Sequence, residues 1–518
     1  MLSFTSHGQI FAGVSIATVA IGYCLVHLYH RLGLPPGPRG WPLLGNLFDR
    51  PKAKDWLVYS QWTKVYGEGN IISLRILGHT LIVLNSAQDA KELLQTRAAN
   101  YSSRINMTMV KLIGMGDGVV TSPPGERFRT MRKLMTKFLG SQGTKNCEMT
   151  ITGAVIAFLS RLQGGEGGSP EDLRVHVKRL VGSTLLQLVY GYLPTGDDDA
   201  YMKLAEEAIS IVLSAARPGW LVDTFPSLRF LPSWLPGMGF KRTAERWRAT
   251  VTRARQEPWK WAEHAQSRGA GNVEYSSSFA AQLLSDPDRT QDDALCCTVL
   301  LSLYSGGLEP TSSAAATLFL TLAMHPDAQA KAQEEIDSVT REERLPTLAD
   351  RPRLPYLNAL LKEVYRWQPI VPLAIPHISS DADQYERYRI PKGSIVLPNI
   401  WHMLHDPEKY PDPMDFKPER FLDQPSPEDM INEDPTRYVF GFGQRKCPGR
   451  LLADSFLFLL AAKTLATVHI SETVDMEGKP LSPDALDYSS GTVSQPPAFT
   501  CTVRRRRSSL DHARQAHT

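Results

Sequence analysis

FGFGQRKCPG, Phe440 to Gly449, is the stretch on which the reading of the whole chain turns. It stands directly before an apolar run with helical spacing, from about Pro448 to Val468. Gly441 and Gly443 permit a tight turn and a close approach of the backbone. Cys447 falls where a helix N-cap is expected, and Pro448 takes the favoured first helical position. Backbone N–H groups and the helix dipole at such a point stabilise an anion and lower a thiol pKa. Arg445 and Lys446 add positive charge beside it. One reading is a functional thiolate; the other is a buried structural cysteine at a loop–helix junction.

The remaining cysteines, at 24, 147, 296, 297 and 501, form no C-x-x-C pair and no Cys/His cluster with zinc spacing. They read as reduced thiols of a cytosol-facing protein. The 518 residues are 42% hydrophobic and 21% charged, with a formal charge of +3. That ordinary balance gives no sign of a nucleic-acid partner.

Working outward, the first thirty residues contain no Asp, Glu, Lys or Arg, and positions 10–29 are predominantly apolar. Twenty such residues cross about 30 Å of hydrocarbon as a helix. Arg31, Arg39, Arg50, Lys52 and Lys54 follow, which retains the bulk of the chain on the cytosolic side. Residues 1–33 therefore read as an uncleaved single-pass anchor, 34–503 as one catalytic unit, and 504–518 as a basic polar tail. LPPGPRGWPLLGN (34–46) is a stiff connector. NIISLRILGHTLIVLNS turns at Gly78-His79 as a hairpin. Helical period then dominates, with helices expected at 125–139, 170–192, 198–216, 241–268, 292–324 and 327–341. The last third holds short strands and turns before the final helix. The fold class is mainly α with a smaller β part. FPSLRFLPSWLPG (225–237) carries six large apolar residues among prolines. They read either as core or as a surface that dips into a bilayer.

FGFGQRKCPG resembles the haem-binding signature of cytochrome P450 monooxygenases. Glu363-Val364-Tyr365-Arg366 is similar to that family's E-x-x-R helix, and Pro418-Glu419-Arg420-Phe421 to its P-E-R-F loop. The anchor and proline hinge resemble those of microsomal members. FPSLRFLPSWLPG and IPKGSIVLPNIWHMLHDPEKYPDP resemble fungal members that tailor secondary metabolites, including the O-methylsterigmatocystin oxidoreductase-like group. The ordered set spans about 34–503 and implies the cytochrome P450 fold.

The resemblance implies that Cys447 is the axial thiolate ligand of the iron of haem b, shielded by Phe440 within the Gly441, Gly443 and Gly449 loop. It implies a buried folding network of Glu363, Arg366 and Arg420, and haem propionates held by Arg129, Arg132, His377 and Arg445. Phe128 stands where the family has tryptophan, which removes an indole N–H donor. Segments 104–120, 211–224, 302–309, 370–376 and 490–496 are expected to line the substrate site. The activity implied is insertion of one oxygen atom from O2 into a small lipophilic metabolite such as a fungal terpenoid, polyketide or indole. Electrons would come from NADPH through cytochrome P450 reductase, with cytochrome b5 as an optional second donor, at the endoplasmic reticulum membrane. The alternatives are a haem-thiolate enzyme that rearranges or dehydrates without a reductase, and a non-catalytic membrane-anchored haem or ligand binder.

One stretch departs from the family pattern. GGLEPTSS (306–313) aligns with the family's oxygen-activating A-G-x-D/E-T-T segment, where the long helix is expected to open. Pro310 replaces the usual threonine and supplies no hydroxyl. Glu309 keeps the acid position, and Thr311 lies about 100° further round the helix. Glu309 with an ordered water, Thr311, or a substrate hydroxyl are the candidate substitutes, and Glu309 with water is the preferred one.

Overall fold

Periodic apolar residues produce the expected helices, with ends displaced by a few positions. The computed structural model describes residues 33–66, 70–164, 172–196, 198–269, 273–287, 289–422, 433–483 and 486–506. The long helices are α1 (Asp55–Tyr66), α2 (Glu126–Leu139), α3 (Glu148–Gly164), α4 (Leu173–Tyr190) and α5 (Ala200–Ala216). They continue with α6 (Gly239–Ser267), α7 (Asp293–Met324), α8 (Pro326–Thr340), α9 (Pro355–Trp367) and α10 (Arg450–Thr467). The expected anchor lies outside the described residues apart from Gly33. Among the described residues no helix is long and apolar enough to cross a membrane.

The hairpin forms as expected: β1 (Ile71–Ile76) pairs antiparallel with β2 (His79–Leu84), Ile72 opposite Val83. β3 (His377–Ile378) follows in sequence, then a small hairpin of β4 (Asp383–Tyr385) and β5 (Tyr388–Ile390), then β6 (Ile395–Pro398). The main sheet has the order β1-β2-β6-β3, with β6 parallel to β2. β7 (Val468–Val474) and β8 (Thr500–Arg505) form a third sheet. This corrects the expected start of the basic tail at 504. Arg504 and Arg505 pair with His469 and Val468, and the Arg506 side chain reaches Asp337 at 2.6 Å. Ladder hydrogen bonds come from the backbone, so a run of arginines can still form an edge strand whose side chains face water.

One apolar cluster draws on Met131 of α2, Val155 of α3, Leu180 of α4, Leu300 of α7, Ile336 of α8, Leu360 of α9 and Leu457 of α10. Helix α7 runs through its middle against α4. Gly182 packs on Leu308 and the Tyr304 hydroxyl, and Gly307 packs on Leu185. These contacts cover the Tyr304, Gly307 and Leu308 side of α7. The opposite side, at Gly306, is exposed.

The expected opening at GGLEPTSS does not occur, and α7 is helical throughout 293–324 with Pro310 inside it. Proline removes the donor that would reach the Gly306 carbonyl and crowds that carbonyl with its ring. The buried neighbours on either side, Leu308 among them and Ser312 to Leu322 beyond, hold the helical path against that local cost.

Lys463 of α10 is 1% exposed and donates to the Pro346 carbonyl at 2.7 Å. Burial lowers its pKa from 10.5 to about 8, against the attraction of Glu148 and Asp350. The unfolded chain therefore holds a proton between pH 8 and 10.5 that the folded chain has released, so this group's contribution to stability rises with pH across that window. Relative to Lys463→Met, the wild type should gain up to about 3 kcal/mol of unfolding free energy over this range. Parallel curves for the two proteins in pH-dependent denaturant unfolding would show that Lys463 does not titrate there.

Candidate active site

The Phe440–Gly449 loop is fixed by its glycines. Gly441 has φ +75° and Gly443 φ +52°, and a Cβ on Gly443 would collide with the Leu94 carbonyl. The Cys447 N–H donates to the Phe440 carbonyl at 2.7 Å, which closes the loop, and the Phe440 ring meets Tyr365 edge-on. Helix α10 begins at Arg450 with Gly449 as its N-cap, so Cys447 sits two residues before the cap rather than at it. The dipole is correspondingly weaker at the sulfur. The expected lowering of the thiol pKa is also corrected. Burial raises it, and the Gly449 N–H with the charges of Arg132 and Arg450 opposes burial only in part. Partial removal from water penalises the free thiolate, as expected of a group that becomes an anion only against a metal ion.

Beside this loop the structure gathers cations. Arg445 donates to the carbonyls of Ser102 at 2.7 Å, Val119 at 3.2 Å and Ser122 at 2.6 Å. Its guanidinium lies 3.9 Å from the centre of the Phe128 ring, so phenylalanine here supports the arginine through its face. Arg104 donates to Ile375 and Pro376 carbonyls, while its Nε is buried without a partner. His377 on β3 is 3% exposed, with Nδ1 2.7 Å from the Tyr101 carbonyl.

Burial and then the neighbouring Arg445 push the Arg104 pKa down to about 9. Burial and then Arg132 push Arg445 down to about 10. Burial, Arg104 and Arg445 push His377 down to about 3. The side-chain charges acting on these three groups are those of other arginines. Such a cluster is stable only when an anion enters it, and an acidic cofactor supplies one. The orphaned Arg104 Nε, the mutually repelling arginines and the half-buried cysteine together fit a group with a metal centre and carboxylate arms. The arrangement suits an anionic cofactor seated between the arginines and the cysteine.

Comparison with known proteins agrees. The cytochrome P450 family model matches residues 35–497. The chain is 40% identical over 476 residues to cytochrome P450 monooxygenase 208 of Postia placenta, covering 91% of this chain and 90% of the relative. It is 38% identical to cytochrome P450 monooxygenase claR of Ampulloclitocybe clavipes, covering 96% and 92%. It is 36% identical to cytochrome P450 monooxygenase COX2 of Coprinopsis cinerea, covering 97% and 94%. The chain belongs to the cytochrome P450 family, whose members are haem-thiolate oxidoreductases that work with redox partners.

Arg132 lies one turn beyond Phe128 on α2, part-buried and close enough to Cys447 and Arg450 to feel both charges. Arg129 does not join the cluster. It is exposed, because its position is about 100° round α2 from the buried Phe128. Arg104 was not among the residues expected at the cofactor. A lone arginine in an aperiodic segment carries no local signal, and only the fold brings it beside Arg445.

Glu363, Arg366 and Arg420 meet in a buried network. Arg366 donates to both Glu363 oxygens, at 2.7 and 2.8 Å, and Arg420 Nε donates at 3.1 Å. Glu309 is held from two sides: Lys178 Nζ of α4 is 2.8 Å from one oxygen, and Gln495 Nε2 donates to the other at 2.6 Å. Thr311 is part-buried one residue beyond Pro310. Of the segments expected to line a pocket, Met109, Val110 and Ile113 pack with Ile211, Ala215 and Leu301 in one buried cluster.

Proposed function

We propose that this chain is a membrane-associated monooxygenase that inserts one atom of O2 into a small lipophilic metabolite, with electrons from NADPH delivered by cytochrome P450 reductase. The observation that carries the reading is the pair of buried, mutually repelling arginines Arg104 and Arg445, with the neutral His377 among them, beside the half-buried Cys447. Haem ligated by a thiolate supplies oxygen activation, the electron-rich sulfur favouring O–O cleavage.

Cys447 would provide that sulfur, with the Gly449 N–H directed at it and Phe440 screening it from water. Arg104, Arg132, Arg445 and His377 would neutralise the propionates. The exposed Arg129 and Lys133 of α2 suit the docking of an acidic reductase surface instead. Lys137, also on α2, already pairs with Asp286 at 2.9 Å.

A fungal terpenoid, polyketide or indole suits the apolar segments that flank α7. Expression with a reductase, a pool of such metabolites and 18O2 tests the assignment. NADPH-dependent product carrying one labelled oxygen is expected. Product formed without NADPH or O2 would mark a rearranging or dehydrating enzyme. Tight ligand binding without turnover would mark a binder.

Membrane association has its own support in the segment between α5 and α6. Leu228 and Leu235 pack inward, while Phe225, Phe230, Leu231 and Trp234 are exposed, Trp234 at 79%. A cleft of about 610 Å³ lined by Trp220, Leu221, Trp234, Leu235, Phe240 and Arg242 opens among them. So much exposed apolar surface is costly in water and favourable at a bilayer of the endoplasmic reticulum. In nanodiscs containing brominated phospholipid, Trp234→Phe should lower the quenched fraction of tryptophan emission. An unchanged fraction would turn this segment toward water.

A further inference from the structure

Glu309 is the acid nearest the position where α7 carries proline instead of a hydroxyl side chain, yet it is not free to move. Lys178 holds one carboxylate oxygen from α4, and Gln495 holds the other from the segment that leads into β8. Glu309 is 13% exposed in its side chain, so both contacts are largely shielded from solvent.

The Gln495 segment has no long element of its own near this point, and it is attached to its surroundings by a few hydrogen bonds. The Ser494 N–H donates to the Ile370 carbonyl at 2.8 Å, beyond the end of α9. Ser313 Oγ of α7 donates to the Ser494 carbonyl at 2.5 Å. The Ser489 and Gln495 backbones close a turn at 2.9 Å. Two attachments of this segment involve a charged group, Gln495 to the Glu309 carboxylate and the Arg174 guanidinium to the Pro496 carbonyl at 3.0 Å, and charge-assisted hydrogen bonds are roughly twice as strong as neutral ones.

Gln495 is also matched to its role chemically. Its amide gives a donor to a carboxylate whose other oxygen is already committed to an ammonium group. A glutamate at 495 would place two carboxylates against one lysine.

We propose that Gln495 is a positioning residue for the oxidation. With Lys178 it locks the Glu309 carboxylate, and it ties that acid to segment 489–496, so the acid and the segment beside α7 move as one unit. The proposal rests on the monooxygenase reading for its catalytic consequence, but the clamp itself does not. With Pro310 offering no hydroxyl, Glu309 is the polar side chain on this turn whose orientation matters most. An acid displaced by even about 1 Å costs on the order of a hundredfold in rate where it takes part in the chemistry.

The test uses the full chain in four forms: wild type, Gln495→Leu, Gln495→Glu, and the exchanged pair Glu309→Gln with Gln495→Glu. Amide hydrogen exchange across 486–496 is measured first, on the ferric protein without substrate. Gln495→Glu should speed exchange there by about tenfold or more, and the exchanged pair should return it most of the way to wild type. Steady-state kinetics is the second readout. Gln495→Leu should lower kcat by about tenfold with KM within about twofold and Gln495→Glu should lower it further, while the exchanged pair, which lacks the Glu309 carboxylate, should regain protection without regaining activity.

If the exchanged pair is no better protected than Gln495→Glu, or if Gln495→Glu exchanges like wild type, the clamp is refuted. If protection behaves as expected but kcat is indifferent to every change at 495, the positioning role is refuted. Failure of the monooxygenase reading shows separately, as absence of turnover in the wild type, and leaves the exchange result to decide the clamp.

Discussion

Cys447→Ala is expected to abolish the thiolate-type carbon-monoxide spectrum of the reduced protein while the chain stays folded. The two halves of that expectation have different origins. The loop that carries Cys447 is built by its backbone. The Cys447 N–H to the Phe440 carbonyl, the Lys446 N–H to the Gly443 carbonyl and the positive φ at Gly441 and Gly443 all survive loss of the sulfur. Phe440 keeps its edge contact with Tyr365. Removing one half-buried sulfur with little rearrangement should cost about 1 to 2 kcal/mol, a minor part of a domain's stability.

The spectrum, by contrast, depends on the sulfur itself, since among the described residues no second cysteine is placed to replace it. Cys147, Cys296 and Cys297 lie in the core formed by α2, α3 and α7, and Cys501 is in β8. Burial raises the pKa of each of these four thiols, to about 12 for Cys147, Cys297 and Cys501. Loss of the spectrum with a cooperative melt only slightly lowered confirms the ligand. A full thiolate-type spectrum in Cys447→Ala would remove the central assignment.

The long helices were readable because their apolar period is strong. The segment 292–324 appears as α7 at 293–324, and 125–139 appears as α2 at 126–139. The loop at 440–449 was readable because glycine, cysteine and proline each restrict the backbone in a distinct way. What escaped sequence reasoning depends on contacts between distant segments. Arg104 gains its meaning only from Arg445, and Lys178 and Gln495 only from Glu309. The opening expected in α7 failed for a related reason. Two glycines and a proline weaken an isolated helix, but they do not reveal how tightly the flanking turns are packed. The strand at the start of the basic segment escaped because charge carries no strand signal, whereas the backbone of Arg504 and Arg505 completes the ladder.

Glu363→Gln carries the other large expected effect, and it acts on folding rather than chemistry. Glu363 and Arg366 are both fully buried, and Arg420 is 5% exposed in its side chain. One carboxylate accepts four donors: Arg366 Nε and Nη2, Arg420 Nε, and the Lys417 N–H at 2.8 Å. Arg366 uses its remaining donors on the carbonyls of Leu404, Pro413 and Asp415. The network therefore joins α9 to the 404–420 segment, which leads toward the cysteine loop. Glutamine preserves the shape of glutamate but removes its charge and turns one end into a donor. The fully buried Arg366 guanidinium then loses its anion, and an N–H2 replaces one of the acceptors in the network. Breaking a buried pair from one side costs about 3–5 kcal/mol. That is a large fraction of the 5–15 kcal/mol available to a typical domain. Glu363→Gln should thus yield protein that unfolds at much lower denaturant and retains little haem, while Arg420→Lys, which keeps a cation near the carboxylate, should lose less. Chemical denaturation with haem content measured on the same samples decides the matter. A variant that melts within about 1 kcal/mol of wild type would show that the surrounding carbonyls, and not Glu363, hold Arg366 in place.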